Sequence, residues 1–137
     1  MDQVTMLGLV STARVGRLAT VRRDGRPHIV PICFVLTDDL VYSAIDDKPK
    51  RHPHLQRLRN ITATEAASLL IDEYDDDWTR LWWVRLDARA RLVHDSAETR
   101  LAIRLLSEKY QQYRHNPPSG QVIALDVDRW AGWSATT

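Results

Sequence analysis

Over most of the chain, apolar residues recur in short runs with interleaved polar positions rather than in helical stripes. Residues 14–21 (Arg14-Val15-Gly16-Arg17-Leu18-Ala19-Thr20-Val21) and 28–35 (His28-Ile29-Val30-Pro31-Ile32-Cys33-Phe34-Val35) both predict strands. Arg23-Asp24-Gly25-Arg26 between them predicts a hairpin turn. Thr37-Asp38-Asp39 predicts a second turn into a strand from Leu40, giving an antiparallel meander of three strands. Proline cannot donate to a central ladder, so Pro31 predicts an edge or a bulge. Further strands are expected over 66–73, 81–93 and 122–127, the first two joined by the acidic turn Asp75-Asp76-Asp77.

Helical spacing is confined to three places. Val4, Leu7 and Val10 follow Asp2, a capping residue type, and predict a helix over 3–13. A short helix is expected over 54–60. Asp95-Ser96-Ala97-Glu98 reads as a capping box. It opens a helix with Leu101, Leu105, Tyr110 and Tyr113 on one side and Leu106 alongside, stopped by Asn116-Pro117-Pro118-Ser119-Gly120. Six strands with two or three peripheral helices predict one mainly β, barrel-like α+β domain over residues 1–137.

Composition narrows the function classes. A formal net charge of +1 argues against a general nucleic-acid binder. A single cysteine, Cys33, cannot form an internal disulfide and fits a reducing cytoplasm. Within its apolar strand it reads as a buried small hydrophobe. No basic n-region opens the chain and no apolar run is long enough to span a bilayer, so neither a signal peptide nor a membrane segment is expected. The five tryptophans cluster at Trp78, Trp82, Trp83, Trp130 and Trp133, which points to an interface or a planar ligand, with ordinary core filling expected for at least two of them.

One segment carries candidate chemistry. Lys48, Lys50, Arg51, Arg57 and Arg59 fall within residues 48–60, with His52 and His54 among them and no acid. A solvated face is the plain reading of such a run. Here, however, the run joins two apolar strands, where cations are placed to grip a phosphate or carboxylates. Other chemistry finds less support. The five glycines form no phosphate-binding loop, and the five histidines lack metal-ligand spacing. Asp72, Glu73, Asp75, Asp76 and Asp77 lack the pattern of a calcium loop and read as a solvated turn.

Taken together, these segments resemble the pyridoxamine 5'-phosphate oxidase-like split β-barrel flavoproteins. The resemblance rests on Gly16-Arg17-Leu18-Ala19-Thr20 with Asp24-Gly25-Arg26-Pro27-His28 and Pro31, on the basic segment 48–60, on Ala67-Ser68-Leu69-Leu70-Ile71-Asp72, and on Trp82-Trp83-Val84-Arg85-Leu86-Asp87. Ala88 stands where that family usually has glycine. Asp46-Asp47-Lys48-Pro49-Lys50-Arg51 and Tyr74 to Trp78, with Arg80-Leu81-Trp82-Trp83, are most similar to the actinobacterial branch of probable coenzyme F420 (deazaflavin) users.

The resemblance implies a six-stranded antiparallel split barrel that dimerises, with cofactor sites between the two copies. It implies hydride transfer from the deazaflavin to an unsaturated or quinone-like small molecule. Lys48, Lys50, Arg51, Arg57 and Asn60 would hold the anionic end. The ring would lie by Thr20, Pro31, Ile32 and Cys33, with Trp78 and Trp82 closing the site from the other subunit. No catalytic acid is assigned; His28 and Tyr42 are weak candidates that read as structural. FMN chemistry on the same fold, or a non-enzymatic cofactor or haem carrier using His52 or His54, stays open.

Overall fold

The strand expected over residues 28–35 breaks after Ile32, and that break organises the fold. In the computed structural model, which describes residues 1–45 and 55–136, β1 (Gly16–Val21) and β2 (Pro27–Ile32) form the expected hairpin. Its turn needs Gly25 at φ +94°, a conformation that side chains disfavour. Cys33 and Phe34 then lead to β3 (Val35–Thr37) and β4 (Leu40–Ala44). β2 does not pair with β4, as a meander would require; β4 pairs with β3 on one side and with β7 (Val122–Ser134) on the other. Including β5 (Ala66–Glu73) and β6 (Trp82–Leu92), the described residues form seven strands rather than six, in the order β2-β1-β5-β6-β7-β4-β3, all antiparallel.

β2 and β3 are the two edges of this sheet, yet only Cys33 and Phe34 separate them in the chain. The sheet must therefore curl until its edges nearly meet, which makes a split β-barrel. Pro31 lies on an edge strand, where its missing N–H costs no ladder bond. At the seam, Phe34 is fully buried and its backbone is held by side chains instead of a neighbouring strand. Its N–H donates to the Tyr110 hydroxyl (3.1 Å), and Lys109 Nζ donates to its carbonyl (2.9 Å). Burial, with Arg14 nearby, pulls the Lys109 ammonium down to about 8. Cys33 is exposed at this seam, not buried as its apolar neighbours predict, because the chain is crossing between edges there.

Strand alternation sends one set of side chains inward. Leu18, Leu69, Ile71, Val84, Leu86, Ile123 and Leu125 fill the barrel, each fully buried or nearly so. Burial of such a side chain contributes about 1.5–3 kcal/mol. Two helices add to this core. From α1 (Gln3–Thr12), capped by Asp2 as expected, come Met6 and Val10, while Val4 is 78% exposed. The buried stripe differs from the one expected because Met6 packs onto Gly132, where an added Cβ would lie 2.8 Å from its sulfur. α2 (Gln56–Thr64) contributes Asn60 and Ile61 and ends at Glu65, whose φ is +61°.

The outer face of the sheet has a second, smaller core under α3 (Ser96–Lys109). Tyr42, Val93, Val122 and Ala124 pack there with Ala102. The Asp95 cap forms as expected, accepting from the Glu98 N–H at 2.8 Å. Ala102 and Leu106 are the buried positions and Leu101 stays at the surface. The helix stops at Tyr110, whose hydroxyl is drawn to the seam, and α4 (Gln111–His115) is separate. β7 runs well past residue 127: it follows β6 to Ser134, with a bulge opposite Asp87 and Ala88, and so takes Trp130 and Trp133 into the sheet.

Candidate functional site

Among the described residues, the other half of that outer face has no helix over it. Register brings its outward side chains into rows. Pro31, Arg17, Leu70, Arg85 and Ala131 form one; Ile29, Ala19, Ser68, Asp87 and Arg129 form the next; Asp72, Trp83 and Trp133 form a third. All of these but Pro31, Ala131, Asp87 and Arg129 line an open groove of about 650 Å³, with Tyr74, Leu81 and Trp82 at the end near the β5–β6 loop. A volume of that order accommodates a cofactor-sized molecule. Ile29 is 64% exposed and Trp133 46%, which is unusual for large apolar groups on a sheet.

Two arginines on this face are paired within it. Arg17 Nη1 lies 3.1 Å from Asp72 Oδ1, and Arg85 Nε lies 3.1 Å from Asp87 Oδ1. The Ser68 hydroxyl donates to the same Asp87 oxygen at 2.8 Å, and the Arg85 guanidinium sits 5.6 Å from the Trp83 ring centre. The Trp82 indole N–H donates to Glu73 (3.1 Å) and that of Trp78 to the Tyr74 hydroxyl (3.3 Å). Trp82 and Trp130 also pack against the main core, the two tryptophans that act as core filling.

The residues singled out by sequence do not gather at one place. Thr20 and Asn60 are buried inside the barrel and bond each other, Asn60 Nδ2 donating to Thr20 Oγ1 at 3.0 Å. Gln56 Nε2 donates to the remaining Asn60 oxygen, so this pair ties α2 to β1. Ile32 also faces inward, while Pro31 and Cys33 are exposed on and just after the β2 edge. Arg57 is half-buried on α2. Trp78 is 68% exposed, and Trp82 is half-buried at the groove. Lys48, Lys50 and Arg51, with His52 and His54, lie outside the described residues. Sequence reasoning missed Arg17, Leu70 and Arg85 as groove residues, and reached Trp83 and Trp133 only through the tryptophan cluster. Their alternation with buried neighbours along each strand is a signal that could have found them.

Tyr42 is a structural residue. Its hydroxyl donates to Glu98 Oε2 (2.7 Å), and burial together with that carboxylate pushes it up to about 12. Glu98 in turn takes two bonds of 2.8 Å from Arg91, which also reaches Asp126 at 3.0 Å. Those contacts, with Arg91 foremost and Tyr42 second, hold the Glu98 carboxyl down at about 2. His28 differs. It points inward opposite Thr20, and its buried Nδ1 has no hydrogen-bond partner among the described residues. Among those residues no group of His, Cys, Asp and Glu could hold a metal ion, and no helix is long and apolar enough to cross a membrane.

The sequence model described as pyridoxamine 5'-phosphate oxidase matches residues 5–134, nearly the whole chain. The chain belongs to the pyridoxamine 5'-phosphate oxidase family. No curated protein matches it. Solved structures share its fold. A conserved hypothetical protein from Mycobacterium tuberculosis aligns with TM-score 0.79 and 18% identity, over 98% of this chain and 86% of that one. An FAD-binding protein from Mesorhizobium loti aligns with TM-score 0.72 and 20% identity, over 96% and 94%. HutZ, a haem storage protein from Vibrio cholerae, aligns with TM-score 0.74 and 16% identity, over 96% and 93%. For this member of the pyridoxamine 5'-phosphate oxidase family, the split barrel is thus the established frame.

Proposed function

We propose that the protein is an oxidoreductase that uses the deazaflavin coenzyme F420, working as a homodimer with its sites between the two copies. The observation that carries the reading is the uncovered half of the outer face, an aromatic groove on a family frame built for flavin-type cofactors. Its floor is made flat by Ala19 and Ser68 and its walls apolar by Leu70, Trp83 and Trp133, which suits a planar tricyclic ring or acceptor. Arg17 and Arg85 are paired with their own carboxylates, which lowers the cost of covering them.

In this reading the anionic end of the coenzyme is held by Lys48, Lys50, Arg51 and Arg57, where a coenzyme bearing carboxylates besides its phosphate favours a long cationic run. Thr20 and Asn60 act one step back, fixing α2 against β1 so that Arg57 is held in place. Pro31 and Cys33 offer edge backbone to the ring. Ile32 packs behind them, and Trp78 and Trp82 exclude water. When bound, the reduced deazaflavin supplies hydride to an unsaturated or quinone-like acceptor. Tyr42 is no proton donor to the acceptor, since its hydroxyl is spent on Glu98.

FMN or FAD is the second reading, favoured by the description of the family and by the FAD-binding protein on the same fold. Fluorescence titration with the deazaflavin and with FMN in parallel decides between them. Selective deazaflavin binding, strongly weakened in Lys50→Ala/Arg51→Ala, is the expected result. Preference for FMN moves the protein to the flavin branch. Cofactor or haem bound without turnover across an acceptor panel makes it a carrier.

A further inference from the structure

Two anchors flank the basic run, and one of them depends on a glycine. Residues 46–54 include Lys48, Lys50 and Arg51, and Lys48 is the third residue after Ile45. On the far side comes α2, which Asn60 ties to β1 through Thr20. On the near side Ile45 is fixed twice. Its N–H donates to the Gln121 carbonyl at 2.9 Å, one step beyond the last β4–β7 pair, Ala44 with Val122. Its side chain packs on the main core. Gly120 faces what remains of this residue, its carbonyl. A Cβ added at Gly120 would collide with the Ile45 carbonyl oxygen and stand 3.1 Å from the carbonyl carbon. Gly25 is the only described glycine with a positive φ, so what Gly120 supplies is room for a close backbone approach.

The carbonyl that faces Gly120 belongs to the peptide bond between Ile45 and Asp46, the first bond of the run. With a methyl group at 120, either the 116–121 loop or that peptide would have to move. The loop resists. Pro117 and Pro118 restrict its backbone, Pro118 is buried, and Gln121 Nε2 donates to the carbonyls of Val93 and Val122, both at 2.9 Å. Ile45 is held by its N–H bond and its packing, so the freedom left to it is rotation about its Cα–C bond, which redirects the chain beyond. Resting on the cofactor reading above, we infer that Gly120 is a positioning residue for the anionic end of the coenzyme. By admitting the Ile45 carbonyl it sets the direction in which the chain leaves for Lys48, Lys50 and Arg51. In this role it touches no ligand. A charge-assisted grip depends on where the cations stand. A turned peptide therefore weakens the hold on phosphate and carboxylates and leaves the contacts of the ring alone.

Equilibrium titration of the full chain with matched probes tests this: coenzyme F420 against the same deazaflavin ending at its ribityl chain, and FMN against riboflavin. The members of each pair differ only in the anionic end. Gly120→Ala should weaken binding of coenzyme F420 about tenfold and leave the phosphate-free deazaflavin within about twofold. The salt dependence of the affinity should flatten, as in Lys50→Ala/Arg51→Ala, since fewer charge contacts remain to be screened. Adding Gly120→Ala to that double variant should cost little more, because both changes act on the same contact. Gly8→Ala, where nothing lies within 4 Å of the added Cβ, is the control and should move neither probe. The CD spectrum and thermal midpoint of each variant check that the fold is kept. Should Gly120→Ala fail to fold, Ile45→Gly leaves the space at 120 empty, frees the rotation at 45 and should show the same selective loss. A folded variant that loses both members of a pair equally, or neither, overturns the positioning role and leaves the cofactor reading standing. A wild type that prefers FMN moves the cofactor reading to the flavin branch, and the FMN–riboflavin pair then decides the positioning role by the same criterion. A wild type that binds none of the four overturns both.

Discussion

Under α3, the outer face of β4, β7 and the far end of β6 is sealed: Tyr42, Val93, Val122 and Ala124 pack on Ala102, and Arg91 is shared between Glu98 and Asp126. On β1, β2, β5 and the near end of β6, the same face of the same sheet carries Ile29, Leu70, Trp83 and Trp133 with nothing over them among the described residues. Both halves bring apolar side chains and paired charges to the surface of one sheet. In the sealed half the counter-charge arrives from another element, as Glu98 of α3 meets Arg91 of the sheet. In the open half Arg17 and Arg85 are matched from the sheet itself, by Asp72 and Asp87. Among the described residues, the open half thus keeps its apolar groups uncovered while Arg17 and Arg85 are already paired.

The contrast predicts unequal responses to mutation. Leu106→Ala, a fully buried α3 position, should cost about 2–5 kcal/mol in urea unfolding. Ile29→Ala on the open half, measured where the chain is monomeric, should cost under about 1 kcal/mol. Equal losses would erase the distinction between the halves. Next in size, Trp83→Ala should weaken self-association by about 1–3 kcal/mol, as expected for an aromatic anchor near the centre of an interface, with little change in monomer stability. Sedimentation at several concentrations reads this, and an unchanged dissociation constant would deny the open half its cover.

Glu98→Gln should cost about 1–2 kcal/mol at neutral pH, since it weakens the hold on Arg91 and Tyr42 together. The sign of its pH dependence follows from a folded value of about 2 against the ordinary 4.5. Stability from a lowered carboxyl is fully present above the unfolded value and is lost as pH falls through the folded one. The gap between wild type and variant should therefore hold steady from pH 8 to about 5 and close between about 4.5 and 2. Smallest of all, a double-mutant cycle on Arg17 and Asp72, with side chains 47% and 38% exposed, should give a coupling of about 0.5 kcal/mol or less in the monomer. A larger value would mean that the open face is stiffened by its own ion pairs and needs no cover.

Local signals in the sequence located most elements. Asp2 and Asp95 cap helices where their side chains accept from the third N–H beyond, and Asp24-Gly25 turns the first hairpin, because caps and turns are decided by neighbouring residues. Strand 66–73 and the edge character of Pro31 were legible for the same reason. The basic segment was legible too, as charge, although its key lysines lie outside the described residues.

What the chain alone left undecided is everything that depends on strand order. The run 28–35 looks continuous, and it splits because Phe34 is held by Tyr110, 76 residues further along the chain. Cys33 is exposed, and Thr20 is spent on Asn60, through contacts of the same non-local kind. Alternation told which residues share a face, but not which face α3 would cover or which half it would leave bare. The sequence by itself determined the strands, the caps and the family frame, since these follow from residue chemistry at short range. Only the tertiary structure decided where the sheet closes and which tryptophans face outward, because both depend on pairings between strands far apart in the chain.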